Sequence, residues 1–417
     1  MLATLRSLAL ISPGRLRLYR GVASVFLLRF VQLGMGLAST YFLARSMSKE
    51  SFGLYNMVMN AVGIASLFSL SGLTNSLVQA VARGYEGTYR AIVPIAFGCS
   101  FVGSFGLAAL SGWYFFEGNN QSAWGLVAAA ILLPFAHGLV QWKSVIIGRE
   151  RFDQLMLFDG VVSFLTYGFV IAVVVLWPGE YALAILVTLI VPAILNMSLT
   201  VLKYRQIPVD APIEQQNVQY GIKTTFYSGL GSIGSNLDRI LVFSFLSPVA
   251  LAMYVAAAKL PELLSAAMQD VGAVLAPRLA KHENYSKRID NIFSVMAVSY
   301  GLIVLVVAFL LVPVIVPFLY GSNYADSVPF AQALTCSVAL GFHADLRFRF
   351  IRSQIDVKGY RDTMIVCSVV RLLAFLILVP LFGILGAVLG MFIYRISLIL
   401  IVRIVIRRHL EMVAADH

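Results

Sequence analysis

The sequence predicts an all-α, polytopic membrane protein with about twelve transmembrane helices in two related six-helix units. Three observations predict it. Hydrophobic residues make up 59% of the chain and charged residues only 12%, with a mean hydropathy of +0.86. Soluble domains carry about 25% charged residues. The apolar runs recur at lengths near the roughly 20 residues a membrane span requires. The basic residues between them alternate sharply from one connection to the next.

The candidate spans, in order, are residues 21–44, 53–80, 91–116, 123–147, 155–177, 181–202, 221–246, 249–275, 292–318, 328–351, 363–380 and 383–406. Many contain Gly or Pro, which membrane helices tolerate because neighbouring groups satisfy the freed backbone. Residues 1–20 read as a cytoplasmic tail. They hold a short apolar stretch followed by Arg15, Arg17 and Arg20, without the long apolar core and small-residue cleavage site of a signal peptide. Residues 407–417 form the second tail.

Orientation follows from the connections. One set holds Arg6, Arg15, Arg17, Arg20, Arg83, Arg90, Arg149, Arg151, Lys203, Arg205, Arg278, Lys281, Lys287, Arg288, Arg352, Lys358, Arg361, Arg403, Arg407 and Arg408. The opposite set holds only Arg45 and Lys49. Basic residues concentrate in cytoplasmic loops, so both termini are expected in the cytoplasm and the number of spans is even. The net charge of +11 is thereby attributed to membrane orientation rather than to nucleic acid.

The longest polar connection, 203–220, reads KYRQIPVDAPIEQQNVQY and divides the chain after six spans. Its Pro and Gln content suits an exposed linker between bundles at 21–202 and 221–406. The halves resemble each other. FLARSMSKESFGLY and FSFLSPVALAMY both run from Phe-Leu through a turn to a Tyr, Tyr55 and Tyr254. GRERFDQL and KGYRDTM both place a basic-aromatic-Asp run before a helix. A common offset near 200 residues, with both halves starting on the same side, indicates a parallel repeat.

Nine basic residues lie within the apolar spans: Arg29, Lys143, Lys223, Arg239, Lys259, Arg347, Arg349, Arg371 and Arg395. Each costs about 2.5–3.5 kcal/mol at mid-membrane on insertion scales. Lys143, Lys223 and Arg395 are placed to snorkel from helix ends. Arg29, with Gln32 one turn on, and Arg239, after Asp238, occupy equivalent helices of the repeat. Lys259 and Glu262 are spaced for an ion pair, with Asp270 two turns further. Arg371 is central in its span, and Asp159 lies early in another. The run GFHADLRFRFIRSQ sets His343 and Arg347 on one stripe and Asp345, Arg349 and Arg352 on another. Arg352 is expected at the interface, Arg349 either there or inside, and His343 is read first as a structural histidine. Basic residues outnumber the acids Asp159, Asp238, Glu262, Asp270 and Asp345, so the interior is expected to be cationic and its ligand anionic, with phosphate or diphosphate the natural candidate.

No Walker A loop, Cys/His metal cluster or large loop with paired carboxylates is present. Cys99, Cys336 and Cys367 read as small apolar residues. No cofactor is expected.

The segments FLARSMSKESFGLY (42–55), SNLDRILVFSFLSPVALAMYVAAAKLPELL (235–264), APRLA (276–280), YGSNYADSV (320–328) and LFGILGAVLGM (381–391) resemble the Wzx-type polysaccharide and O-antigen flippases of the multidrug/oligosaccharidyl-lipid/polysaccharide exporter superfamily. The resemblance runs along essentially the whole chain. It implies two six-helix bundles arranged as a V around a central cavity. It also implies transfer of undecaprenyl-diphosphate-linked oligosaccharide from the cytoplasmic to the periplasmic leaflet of a bacterial inner membrane. Transport would proceed by alternating access, driven by an H⁺ or Na⁺ gradient, with a polysaccharide polymerase and chain-length regulator as partners. The cavity cations are then expected at Arg29, Arg239 and Lys259, joined by Arg347 and Arg371. Ion coupling is expected at Asp238, Glu262 or Asp345. Peptidoglycan-precursor flippases of the superfamily have fourteen helices, two more than this chain accommodates.

Two other readings compete, a membrane polymerase or ligase acting on the same lipid-linked substrate and a multidrug cation antiporter. The enzyme class needs a long periplasmic loop, whereas the longest loop here is assigned to the cytoplasm. Cysteine introduced as Pro212→Cys should be labelled by impermeant reagents only after the cytoplasmic face is opened. Labelling from the periplasm would restore the enzyme reading.

Overall fold

A computed structural model describes residues 13–70, 72–279, 287–353 and 357–415, with side chains described outside 13–26, 224, 226–235, 237, 269–279, 287–289, 349–353, 357–361 and 408–415. Asp270, Arg349 and Arg352, singled out above, are among the side chains outside this set, as are residues 1–12 of the N-terminal tail.

The described residues form helices and turns without strands. In hydrocarbon each backbone N–H and C=O must be satisfied within the protein, and a helix does this within one segment. In chain order the helices are α1 (Pro13–Ser46), α2 (Lys49–Ala65), α3 (Gly72–Ala82), α4 (Thr88–Phe116), α5 (Asn120–Leu133), α6 (Trp142–Gly148), α7 (Phe152–Leu176), α8 (Tyr181–Gln206), α9 (Gln215–Phe245), α10 (Pro248–Leu279), α11 (Lys287–Val306), α12 (Val312–Tyr320), α13 (Val328–Ser353), α14 (Val357–Phe382) and α15 (Ile384–Ala415). Ten stretches of the described residues are long and apolar enough to cross a membrane. Helices α9 and α13 are also long but are not among them. Lys223, Asp238 and Arg239 interrupt the apolar run of the first, and His343, Asp345 and Arg347 that of the second.

Three of the expected spans are broken. The second contains a left-handed residue, Leu70 (φ 57°), between a short 3₁₀ turn and α3. The buried amide of Gly72, freed from helical bonding, donates to the Thr225 hydroxyl at 3.0 Å, and that hydroxyl donates in turn to the Gly221 carbonyl at 2.9 Å. Irregular backbone inside a membrane persists where protein groups satisfy it, as here. The fourth span passes through a π-turn at Pro134–Gly138, and the ninth through another at Val307–Leu311 just before Pro313. Proline supplies no N–H and crowds the preceding turn, and a π-turn absorbs the mismatch.

The chain divides into two compact units, Met1–Met47 with Ala61–Gly229, and Ser48–Asn60 with Leu230–His417. The first has a core of Leu73, Leu77, Tyr89, Ile92 and Val145, and another around the fully buried Trp142. Trp142 donates to Asn196 at 3.0 Å, and Asn196 donates to the Ala136 carbonyl in the π-turn at 2.9 Å. The 203–220 connection is tied to this unit. Arg90 donates to the Tyr204 and Ile207 carbonyls at 2.8 and 3.0 Å, and Arg83 pairs with Glu214 at 3.0 Å. Arg149, between α6 and α7, donates two 2.7 Å bonds to Glu86, between α3 and α4, and its guanidinium holds that carboxyl below the usual range.

The second unit packs Phe293, Val304, Val338 and Phe342 in one core and Ala344, Cys367, Leu398 and Val402 in another. Phe52, Tyr320 and Tyr324 meet edge to face or tilted, at centroid distances of 5.5–6.2 Å. Large apolar side chains such as Phe105, Phe116, Phe309 and Leu310 are exposed in both units. So much exposed apolar surface would aggregate in water, and lipid accommodates it.

The N-terminal part of α2 lies against the start of α10 with no room for a side chain at Gly53, where a Cβ would fall 1.9 Å from the Pro248 carbonyl oxygen. Gly53→Ala should destabilise the purified protein by about 1–3 kcal/mol through backbone displacement. Gly98→Ala, where a Cβ meets nothing within 4 Å, should leave unfolding in micelles unchanged.

Candidate functional site

The second unit concentrates its buried charge where α2, α9, α10 and α14 meet. A two-residue turn at 246–247 joins α9 and α10 and brings Tyr254 back beside Asp238. The Tyr254 hydroxyl donates to Asp238 Oδ2 at 2.9 Å. From α14, Arg371 Nη2 donates to the same oxygen at 3.1 Å. The backbone N–H of Arg239 reaches Oδ1 at 2.9 Å. Asp238, 7% exposed, thus has three donors on its two oxygens, the saturation a buried carboxylate requires. The Arg371 guanidinium also lies over the Tyr394 and Phe375 rings at 5.3 and 5.9 Å, where ring quadrupoles attract a cation.

Arg239, next along α9, points to other partners. Its Nη1 donates to Asn60 Oδ1 at 2.9 Å and its Nη2 pairs with Glu262 on α10. The two ion pairs differ in access. The side chains of Arg371 and Asp238 are 15% and 8% exposed, whereas Glu262 is 46% exposed. One pair is sealed and the other is open on its acidic side.

Glu262 therefore pairs with Arg239 and not with Lys259, as the i, i+3 spacing suggested. The long Arg239 side chain crosses the α9–α10 interface, and Lys259 remains half-buried with no partner among the described residues. The expected surplus of cations shrinks in the same way. Lys143 pairs with Asp159 at 2.5 Å, Arg347 with Asp290 at 2.7 Å and Arg395 with Asp345 at 3.8 Å. Asp290 lies just before the ninth expected span, outside the five interior acids expected from the sequence. Of the nine intramembrane cations, Arg29 and Lys223 are exposed, and Lys259 is half-buried without an ion pair.

Gln32 donates to Asp159 at 3.0 Å and to Ser163 at 2.8 Å, so Asp159 in the first unit is already occupied by Lys143 and Gln32. The structure brings together Asp238, Arg239, Glu262 and Arg371. Asp345, the partner of Arg395, borders a small cavity of about 90 Å³ that Arg371 also lines. Gly341 permits this, since a Cβ there would fall 2.6 Å from Arg395 Nη1. Arg347 belongs to a separate cluster with Asp290 and Ser294. Among the described residues no three His, Cys, Asp or Glu side chains are grouped to hold a metal.

Asn60 and Tyr394 went unrecognised in the sequence. Asn60 is one of two side-chain amides in its helix, with Asn56, and lies 179 residues from Arg239. Tyr254 marks the repeat in the sequence, and its place after the 246–247 turn faces it toward Asp238.

The chain matches, over residues 42–329, the profile of a family described as polysaccharide biosynthesis protein. No curated protein sequence matches it. Its fold is similar to that of a lipid II flippase, MurJ, in an inward closed conformation, with a TM-score of 0.69 and 14% identity over 92% of this chain and 86% of that one. It is also similar to an inward-facing multidrug resistance MATE family transporter of the MOP superfamily, with a TM-score of 0.67 and 14% identity over 90% and 95% of the two chains. A MOP superfamily transporter from Pyrococcus furiosus gives 0.58 and 13% over 94% and 95%. At these identities the likeness establishes a common fold.

Removing one partner of a buried ion pair leaves the other charge unpaired, at a cost of about 3–5 kcal/mol. Asp238→Asn should lower unfolding stability in micelles by that order, and Asp238→Leu with Arg371→Met should recover most of it. Equal stability of the single variant and the native chain would show that the pair contributes nothing.

Proposed function

The chain belongs to the polysaccharide biosynthesis protein family, and on that premise we propose that it is a flippase for lipid-linked oligosaccharide. It moves undecaprenyl-diphosphate-linked units from the cytoplasmic to the periplasmic leaflet of a bacterial inner membrane, with both termini in the cytoplasm. The observation that carries this reading is the asymmetric charge network on α9, α10 and α14. A sealed Asp238–Arg371 pair fixes the helices, and the neighbouring Arg239 is held by an accessible acid.

A diphosphate is an acceptor that an arginine can grip with two parallel N–H bonds. Arg239 is positioned to exchange Glu262 for such a ligand, and Lys259, one turn from Glu262, adds a second cation. Arg29, exposed in the first unit, is a further candidate for contact with the cargo. Arg371 and Arg347, held by Asp238 and Asp290, act as supports rather than first contacts.

Glu262 is the foremost coupling residue. Its protonation removes the charge that holds Arg239, so proton entry and diphosphate binding become linked. A sodium ion bound by the same carboxylate would have the same effect. Asp238 has its oxygens occupied by three donors, and Asp345 is bound to Arg395, which makes both slower to exchange. The oligosaccharide would travel in the polar interior while the prenyl chain stays in lipid. A polymerase and a chain-length regulator would act on the product.

The fold is shared with multidrug transporters, so an antiporter for organic cations is the second reading. The cluster pairs Arg239 and Arg371 with two carboxylates and adds Lys259, which has no ion pair among the described residues, and that positive balance argues against a cationic cargo. Purified protein in liposomes with a defined undecaprenyl-diphosphate glycan should transfer it between leaflets. Arg239→Ala should reduce transfer tenfold or more at normal membrane insertion, and Glu262→Gln should abolish its dependence on the ion gradient. Full transfer by Arg239→Ala would remove the site assignment, and cation efflux without glycan transfer would establish the antiporter.

A further inference from the structure

A second polar cluster lies in the second unit, separate from the Asp238 network. Asp290 and Ser294 at the start of α11, His343 and Arg347 on α13, and Arg403 and Arg407 near the end of α15 line an open pocket of about 350 Å³. This is within the range of small-molecule sites, about 300–1,000 Å³.

The cluster has a fixed wall and a charged mouth. Arg347 is 5% exposed. Its Nε and Nη2 donate to Asp290 at 2.9 and 2.7 Å, Nη2 also to Ser294 at 3.0 Å, and Nη1 to the His343 carbonyl at 2.9 Å. Those bonds lock α11 to α13 and balance the Asp290 charge. Arg403 and Arg407, both exposed, are one helical turn apart on α15. Arg403 Nη2 lies 3.4 Å from His343 Nε2. With Arg347 set against Asp290, the lining has two further guanidinium charges.

Depth identifies the kind of ligand. Asp290 begins one membrane-spanning stretch and Arg407 ends another, which puts the pocket at the level of lipid headgroups. The flanking residues Ile292 and Val295 on α11 and Leu400 and Ile404 on α15 are large, apolar and exposed, as surfaces beside acyl chains are. Basic pockets between helices at this level recognise anionic headgroups, and arginine pairs with phosphate oxygens in a two-pronged geometry.

We infer that this pocket binds the headgroup phosphate of an anionic phospholipid, with Arg403 and Arg407 gripping the phosphate and the Arg347–Asp290 pair holding the wall in place. The bound lipid bridges α11, α13 and α15 and stabilises their packing. This does not depend on which cargo the protein moves.

The test uses the full chain in phosphatidylcholine nanodiscs, with phosphatidylglycerol titrated in and binding read by native mass spectrometry and thermal unfolding. Phosphatidylglycerol should bind at least tenfold more tightly than phosphatidylcholine and raise the unfolding temperature. The double variant Arg403→Gln with Arg407→Gln should lose most of that preference and of that rise. Arg151→Gln with Arg205→Gln, removing two exposed charges elsewhere, should keep both. Three results would overturn the inference. The first is an unchanged preference in the Arg403/Arg407 variant. The second is inorganic phosphate alone reproducing the full rise, which would point to a soluble phosphate ligand. The third is loss of undecaprenyl diphosphate binding in that variant with phosphatidylglycerol binding intact, which would assign the pocket to cargo.

Discussion

Arg371 and Asp238 meet at 3.1 Å among apolar helices, and the second unit is arranged around their mutual neutralisation. A charge in hydrocarbon is tolerated only beside an opposite charge with its remaining hydrogen-bonding positions filled. Asp238 meets this condition through Tyr254, the Arg239 backbone and Arg371, which joins α9, α10 and α14. Arg239 extends the join to α2 through Asn60. A network of this kind specifies one packing of helices whose apolar surfaces alone would slide over each other.

The same requirement governs the backbone. Where α2 gives way to α3, the chain leaves helical geometry at Leu70, and Thr225 restores the bond that Gly72 would otherwise lack. Where α5 meets α6, Asn196 serves the π-turn. Both are single polar side chains in otherwise apolar helices. Polar residues in these spans therefore divide into those that complete the backbone, those that neutralise a charge, and the few left open. Glu262 neutralises Arg239 yet stays accessible, and Lys259 has no ion pair among the described residues; the proposed function draws on these two.

Pairing changes how the charge inventory is understood. Nine cations against five acids suggested a strongly positive interior, because the acids were counted by span. Asp290, outside the span count, neutralises Arg347, and Arg395 and Lys143 turn inward to acids rather than outward to the interface. What distinguishes a ligand-binding cation from a structural one is whether its partner is accessible. That depends on burial, which spacing along one helix does not encode.

The amino-acid sequence by itself determined the all-helical membrane class and most of the spans, because hydropathy and length answer directly to the hydrocarbon slab. It also determined the family likeness, since segments such as SNLDRILVFSFLSP are local and ordered along the chain. It located the charged residues of α9, α10 and α14. Tertiary structure alone decided their partners: Arg239 with Glu262 and Asn60, and Arg371 with Asp238. Those choices join residues 23, 179 and 133 positions apart. Tertiary structure also decided that residues 48–60 group with the second unit and that helices break at Leu70 and at the π-turns. In each case a group is satisfied by an atom on another helix, and periodicity within one helix carries no record of its neighbours.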